Sequence, residues 1–165
     1  NTEIDIHIIA DFCRELNPPL LSNHSFYAGA YKERLSRNEL ARRIIEAVGT
    51  LPCVWGRRIQ GDHVQSQIIN KASNARFTVA DLTNNQSNGG EIKTHVNVNS
   101  SIEAGISMGA QIPTRLFAQI NEARSVGEGV TRHIPYMFRN SQISMYEGDV
   151  DFLGQLHKQV FQFFY

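Results

Sequence analysis

Strand-like and helix-like periodicities alternate along this chain, and that alternation constrains its fold more than any motif. EIDIHIIA, residues 3 to 10, sets Ile4, Ile6 and Ile8 in period two and adds Ile9, the pattern of a strand. SRNELARRIIEAV, residues 36 to 48, puts Leu40, Ile44, Ile45 and Val48 on one helical stripe, with Ser36 and Glu39 spelling a capping box and Gly49 as the stop. CVWGRRI then reads as a second strand. GDHVQSQIINKAS reads as a second helix, with Asp62 and Gln65 as cap and partner and Val64, Ile68, Ile69 and Ala72 facing inward. ARFTVADL is a third strand, SSIEAGISMG a third helix with Ile102 and Ile106 on one face, and PTRLFAQI a fourth strand. ISMYE is the fifth, and DVDFLGQLHKQVFQFF closes as a helix burying Leu153, Leu156, Val160 and Phe164. Strands that each lead into a helix or a connection of helical length pair in parallel through right-handed crossovers. The expected architecture is α/β and doubly wound: a flavodoxin-like five-stranded parallel sheet with helices on both faces.

A chain of 165 residues, 41% of them hydrophobic, suffices for one domain with a core, expected over residues 1 to 165. The opening on Asn1 and the aromatic FQFFY at the close suggest a piece excised from a longer protein, so other domains or further copies are the expected partners. Sixteen Lys and Arg against sixteen Asp and Glu leave no net field for collecting nucleic acid or anionic membrane. No apolar run approaches the ~20 residues of a membrane helix. Cys13 and Cys53 are too few for a disulfide framework or a metal site by spacing, the six histidines show no metal-ligand spacing, and a cytoplasmic location is expected. Neither GxGxxG nor GxxxxGK[ST] occurs, so no dinucleotide fingerprint or phosphate loop is indicated, and no cofactor is expected. The expected ligand is a small molecule.

Open α/β sheets bind ligands outside the carboxyl ends of their strands, near the point where strand order reverses. Those ends are Asp11 and Phe12, then Arg57 and Arg58, then Asp81 and Thr83, followed by the first turn of the third helix, which carries Glu103. Ser100 to Glu103 spell S-x-x-E, so Glu103 has two readings: a capping residue reaching back to its own helix start, or a carboxylate facing a ligand. Residues 16 to 35, LNPPLLSNHSFYAGAYKERL, are too long for an ordinary βα loop and are expected to form a lid or an oligomer contact.

ADFC after the first strand, GDHVQSQIINKASNARFTVADLT, NSSIEAGISMGAQIPTRLFAQ and HIPYMFRNSQISMYEG resemble the nucleoside 2-deoxyribosyltransferase-like and Toll/interleukin-1 receptor (TIR)-like superfamily. Its pattern of a strand ending Asp-Leu-Thr, then Asn-x-x-x-Glu-x-Gly opening a helix, falls here on Asp81, Leu82 and Thr83, then Asn99, Glu103 and Gly105. The resemblance implies N-glycosidic chemistry on a nucleoside or nucleotide, with Glu103 as nucleophile or cation stabiliser. Bond breaking there passes through an oxocarbenium-like sugar, which a carboxylate beside the anomeric carbon can stabilise or trap. Asp81 would hold a ribose hydroxyl or the leaving base, Asp11 and Phe12 would line the base, Asn99 would bind substrate, and Arg57 or Arg58 would meet a phosphate through a guanidinium fork.

Transferases of this kind carry an acid about two turns before the nucleophile, whereas HVNVNSS offers Asn97 and Asn99. An amide cannot act as a base, so hydrolysis is the better fit. The expectation is a nucleotide N-glycosidase that hydrolyses the nicotinamide–ribose bond of NAD, as a bacterial defence or signalling effector. The alternatives are a deoxyribosyltransferase-like enzyme acting on another nucleotide and a non-catalytic TIR-like module that binds nucleotides or self-assembles.

Overall fold

A computed structural model describes residues 23–32, 34–83, 87–88, 91–92, 97–119, 138 and 142–165. In chain order the elements are β1 (Ser25–Ala28), α1 (Leu35–Gly49), β2 (Cys53–Trp55), a 3-10 turn (Gly56–Arg58), α2 (Val64–Ser73), β3 (Thr78–Asp81) and the two-residue strands β4 (Ser87–Asn88) and β5 (Glu91–Ile92). They are followed by α3 (Val98–Gly109), β6 (Thr114–Gln119), β7 (Ile143–Tyr146) and α4 (Asp149–Phe164). The main sheet has five strands in the order β2-β1-β3-β6-β7, every neighbouring pair parallel. This is the doubly wound, flavodoxin-like arrangement expected from the alternation of periods. The strand order reverses between β1 and β3. None of the described helices is long and apolar enough to cross a membrane.

One strand of the sheet lies where periodicity gave no signal. The expected first strand, residues 3 to 10, lies outside the described residues, and the strand that pairs with both β2 and β3 is SFYA, inside the stretch read as a lid. All four of its residues are buried, so it shows no alternation to mark it. The segment at the carboxyl end of β1 is therefore Gly29–Ala30–Tyr31, while Asp11 and Phe12 lie outside the described residues.

Helix starts also differ from the sequence reading. Arg34 (φ 50°) and His63 (φ 59°) precede α1 and α2 in left-handed conformation, with no side-chain cap. Neither expected capping box forms. Glu39 instead meets Arg42 Nη2 at 2.9 Å and Arg58 Nη2 at 2.9 Å, and the Asp62 carbonyl accepts from Gln67 Nε2 at 2.8 Å. The α3 helix starts earlier than the S-x-x-E motif suggests, because Asn97 caps it through Oδ1 on the Ser100 amide at 2.9 Å. Its amide donates to the Leu82 carbonyl at 2.9 Å, which sets the helix directly behind the end of β3.

Two buried clusters sandwich the sheet. Tyr27, Trp55, Val79, Phe117 and Tyr146 pack with residues of α1 and α4 on one side; Phe26, Ala28, Ala80 and Leu116 pack with α2 and α3 on the other. The inward face of α3 is Ser100, Ser101, Glu103, Ala104 and Ser107, while Ile102 is 57% exposed, contrary to the apolar stripe expected for this helix. Small side chains let the helix approach closely enough for Ser107 Oγ to meet both Thr78 Oγ1 and the Ala72 carbonyl at 2.9 Å. That face, and not an isoleucine stripe, carries Glu103 inside the protein.

Candidate active site at the carboxyl edge of the sheet

Glu103 is the sixth residue of α3, and helical side chains lean toward the helix N-terminus, so its carboxylate reaches back to the carboxyl edge of the sheet. It does not cap its helix, since Asn97 already does. The Tyr31 hydroxyl, just beyond β1, donates to Glu103 Oε1. Gly56, just beyond β2, faces the same pair: a Cβ built there would lie 2.7 Å from Glu103 Oε1 and closer still to the Tyr31 oxygen. Glu103 is 3% exposed, and its other oxygen, Oε2, is buried without a hydrogen-bond partner among the described residues. Buried polar atoms are rarely left so. Burial pushes the Glu103 carboxyl up to about 7, the Tyr31 hydrogen bond pulling the other way. Near neutrality the group is therefore divided between acid and carboxylate.

Asp81 stands elsewhere. Along β3, Thr78 meets α3, Val79 packs toward α1 and α4, and Ala80 packs toward α2 and α3. Alternation turns Asp81 to the α1 and α4 side, opposite Glu103. There it is 1% exposed and pairs with the Arg37 guanidinium through Oδ2. The Tyr146 hydroxyl donates to the same carboxylate at 2.9 Å and accepts from Arg37 Nη1 at 2.7 Å. The Thr83 amide donates to Asp81 Oδ1 at 3.1 Å, and Thr83 Oγ1 accepts the Gln119 amide at 2.8 Å, which staples the ends of β3 and β6. Arg37 Cζ also lies 4.5 Å from the Phe152 ring centroid, so α1, β3, β7 and α4 converge on one buried ion pair.

The two arginines read as phosphate contacts separate in the same way. Arg58 is spent on Glu39. Arg57 donates its Nε to the Tyr31 carbonyl at 2.5 Å and stands over Trp55, its Cζ 5.6 Å from the ring centroid. Its exposed outer nitrogens have no partner among the described residues. Asn99 is exposed in the first turn of α3. The structure thus gathers Glu103 and Arg57 around one tyrosine, gathers Asp81 and Thr83 around Arg37, and leaves Arg58 and Asn99 outside both groups.

The sequence reading missed Tyr31 as the partner of Glu103, Gly56 as the residue facing both, and Arg37 as the counter-ion of Asp81. A signal existed for Tyr31 and for Arg37. The short run FYA, residues 26 to 28, closes on glycine, as a buried strand does, which would have put Tyr31 at the functional edge. Arg37 stands four and eight residues before Ala41 and Ile45, in line with the buried stripe, where a charge requires a partner.

No protein-family model matches the sequence, and no curated protein matches it. Solved structures do. A 2-deoxyribosyltransferase from Leishmania mexicana superposes with a TM-score of 0.54 at 10% identity, covering 81% of this chain and 97% of the other. A CMP N-glycosidase from Clostridium botulinum does so with a TM-score of 0.54 at 14% identity, covering 82% and 98%. At such identities the likeness is one of fold: this chain has the fold of the nucleoside 2-deoxyribosyltransferase-like enzymes.

Proposed function

We propose that this chain breaks the N-glycosidic bond of a nucleotide, with Glu103 as the group that meets the anomeric carbon. The observation that carries the reading is the Glu103 carboxylate itself. It is buried at the carboxyl edge of a parallel sheet, where such folds bind ligands, held through one oxygen by Tyr31 and unpartnered at the other among the described residues. In the reaction the C1′–N bond breaks with its electron pair leaving on the base, while Oε2 bonds to C1′ or stabilises the cation there. Water then takes the sugar and restores the carboxylate. Asp81, paired with Arg37 on the far face, supports the sheet edge in this scheme. Arg57, whose outer nitrogens have no partner among the described residues, is the residue suited to a substrate phosphate.

Hydrolysis is favoured over transfer because Asn97 is committed to capping α3 and Asn99 is exposed, so neither supplies an acid beside Glu103. NAD, implied by the TIR-like resemblance, is the first substrate to offer, in keeping with a bacterial defence or signalling effector. The shared fold with a CMP N-glycosidase supports a pyrimidine mononucleotide as the second. The test is chromatographic detection of free base after incubation with NAD, CMP and their nucleosides, beside the Glu103→Gln variant. Base released by the unaltered protein and not by the variant establishes the reading, and release by neither from any substrate rejects it.

The proton affinity of Glu103 adds a second expectation. A nucleophile must be ionised, so kcat/KM should rise with pH through a limb near 7 and level off above it. A rate that instead falls above pH 7 would make Glu103 the proton donor to the leaving base. The pH profile of initial rates distinguishes the two roles.

A further inference from the structure

We infer that the turn Gly56–Arg58 is a positioning element for Glu103: Gly56 leaves the space in which Tyr31 and Glu103 meet, and Arg57 anchors Tyr31 from its main-chain side. This deepens the reading of Glu103 as the reacting group and rests on it. Three contacts hold the turn over the site. Trp55, 2% exposed, directs Nε1 to the Gly29 carbonyl at 3.5 Å, and Arg57 Nε donates to the Tyr31 carbonyl at 2.5 Å. Two donors from β2 and its turn thus grip alternate carbonyls of the segment leaving β1. Arg58 fixes the turn to α1 through Glu39 at 2.9 Å. Gly56 completes the set, because a methyl group there would stand 2.7 Å from Glu103 Oε1, inside the distance real Cβ contacts reach. The oxygen it would displace belongs to a buried carboxylate, and the hydroxyl to a ring whose backbone Arg57 holds. Alanine at position 56 must part the pair.

Among the described residues, burial and the Tyr31 hydroxyl are what move the Glu103 proton affinity, and the hydroxyl holds it down. Releasing Tyr31 should therefore raise it. Loss of a hydrogen bond to a charged group corresponds to an upward shift of about one to two units.

The experiment is an NMR titration of the substrate-free protein labelled with 13C at glutamate carboxyls, the Glu103 signal assigned by its loss in Glu103→Gln. Tyr31→Phe sets the scale with an upward shift of about one to two units. Gly56→Ala and Arg57→Ala are expected to move the midpoint the same way, and Arg57→Lys to stay near the unaltered value, because an ammonium can still donate to the Tyr31 carbonyl. Unchanged midpoints in both Gly56→Ala and Arg57→Ala, or in Tyr31→Phe itself, overturn the inference. Arg57 is exposed, so its variants decide the matter if Gly56→Ala fails to fold. The titration needs no substrate, so absence of base release by the unaltered protein would reject the proposed activity while leaving the positioning role to be judged by the midpoints alone.

Discussion

Glu103→Gln should slow base release by at least about 10³-fold, the scale of losing a nucleophile, and yet be the more robust of the two proteins as pH rises. Glutamine keeps the volume and can accept the Tyr31 hydroxyl, but it can neither bond covalently to C1′ nor carry charge toward the cation. The stability effect follows from the raised proton affinity of Glu103, about 7 in the folded protein against an ordinary value of 4.5. Between those values the folded state holds a proton that the unfolded chain has released, so stability falls as pH rises through that window. The missing 2.5 units correspond to about 3 kcal/mol between pH 4 and pH 8. The variant has no such group. The difference in unfolding free energy between the two proteins should therefore move by about 3 kcal/mol in favour of Glu103→Gln across that range, or roughly 10 °C in midpoint for a domain of this size. Urea denaturation of both proteins at pH 4, 6 and 8 measures it. Parallel stability curves would mean that Glu103 titrates as an ordinary surface carboxylate and is not the buried group described above.

The architecture was legible in the chain because period 3.6 and period 2 segments alternate, and such alternation has few packed solutions. What was not legible came from the places where burial is complete. SFYA is buried on both faces of the sheet and so carries no alternation, while EIDIHIIA carries a conspicuous one and drew the assignment of the first strand. The inward face of α3 is built of serine, alanine and one glutamate, so a search for an apolar stripe found Ile102, which faces out. Capping boxes misled for a related reason. S-x-x-E scores any serine near a helix start, whereas the helix itself began at whichever residue the preceding strand delivered, Asn97 in the case of α3. Glu103 was nonetheless singled out as a candidate, from its place after the third strand and from the resemblance. Its surroundings were not, because Tyr31, Gly56 and Glu103 meet only through the topology that sets β1 between β2 and β3.

Asp81→Asn should cost about 3–5 kcal/mol of stability, a large share of the ~5–15 kcal/mol that a domain has, because it leaves the Arg37 guanidinium buried and uncompensated. Asparagine can still accept the Thr83 amide through Oδ1, but its Nδ2 then faces the Arg37 donor, so the loss combines the missing charge with a donor–donor contact. The nearest other carboxylate among the described residues, Asp149, is 3.8 Å from Arg37 Nη1 and more than half exposed, too far and too wet to replace Asp81. At 165 residues the expected fall in thermal midpoint is about 10 °C or more. Removing both charges with apolar residues of similar volume, Arg37→Met with Asp81→Leu, should recover part of the loss, as buried pairs commonly tolerate joint replacement better than the removal of one partner. The same variant separates support from substrate contact. If Asp81 acts through the scaffold on the face opposite Glu103, folded Asp81→Asn assayed well below its midpoint should keep kcat/KM within about tenfold and leave the pH limb near 7 in place. A residue taking part in proton transfer or binding at the reacting sugar would cost about 10²-fold or more even in the fully folded variant, and that outcome would move Asp81 from the sheet edge into the chemistry.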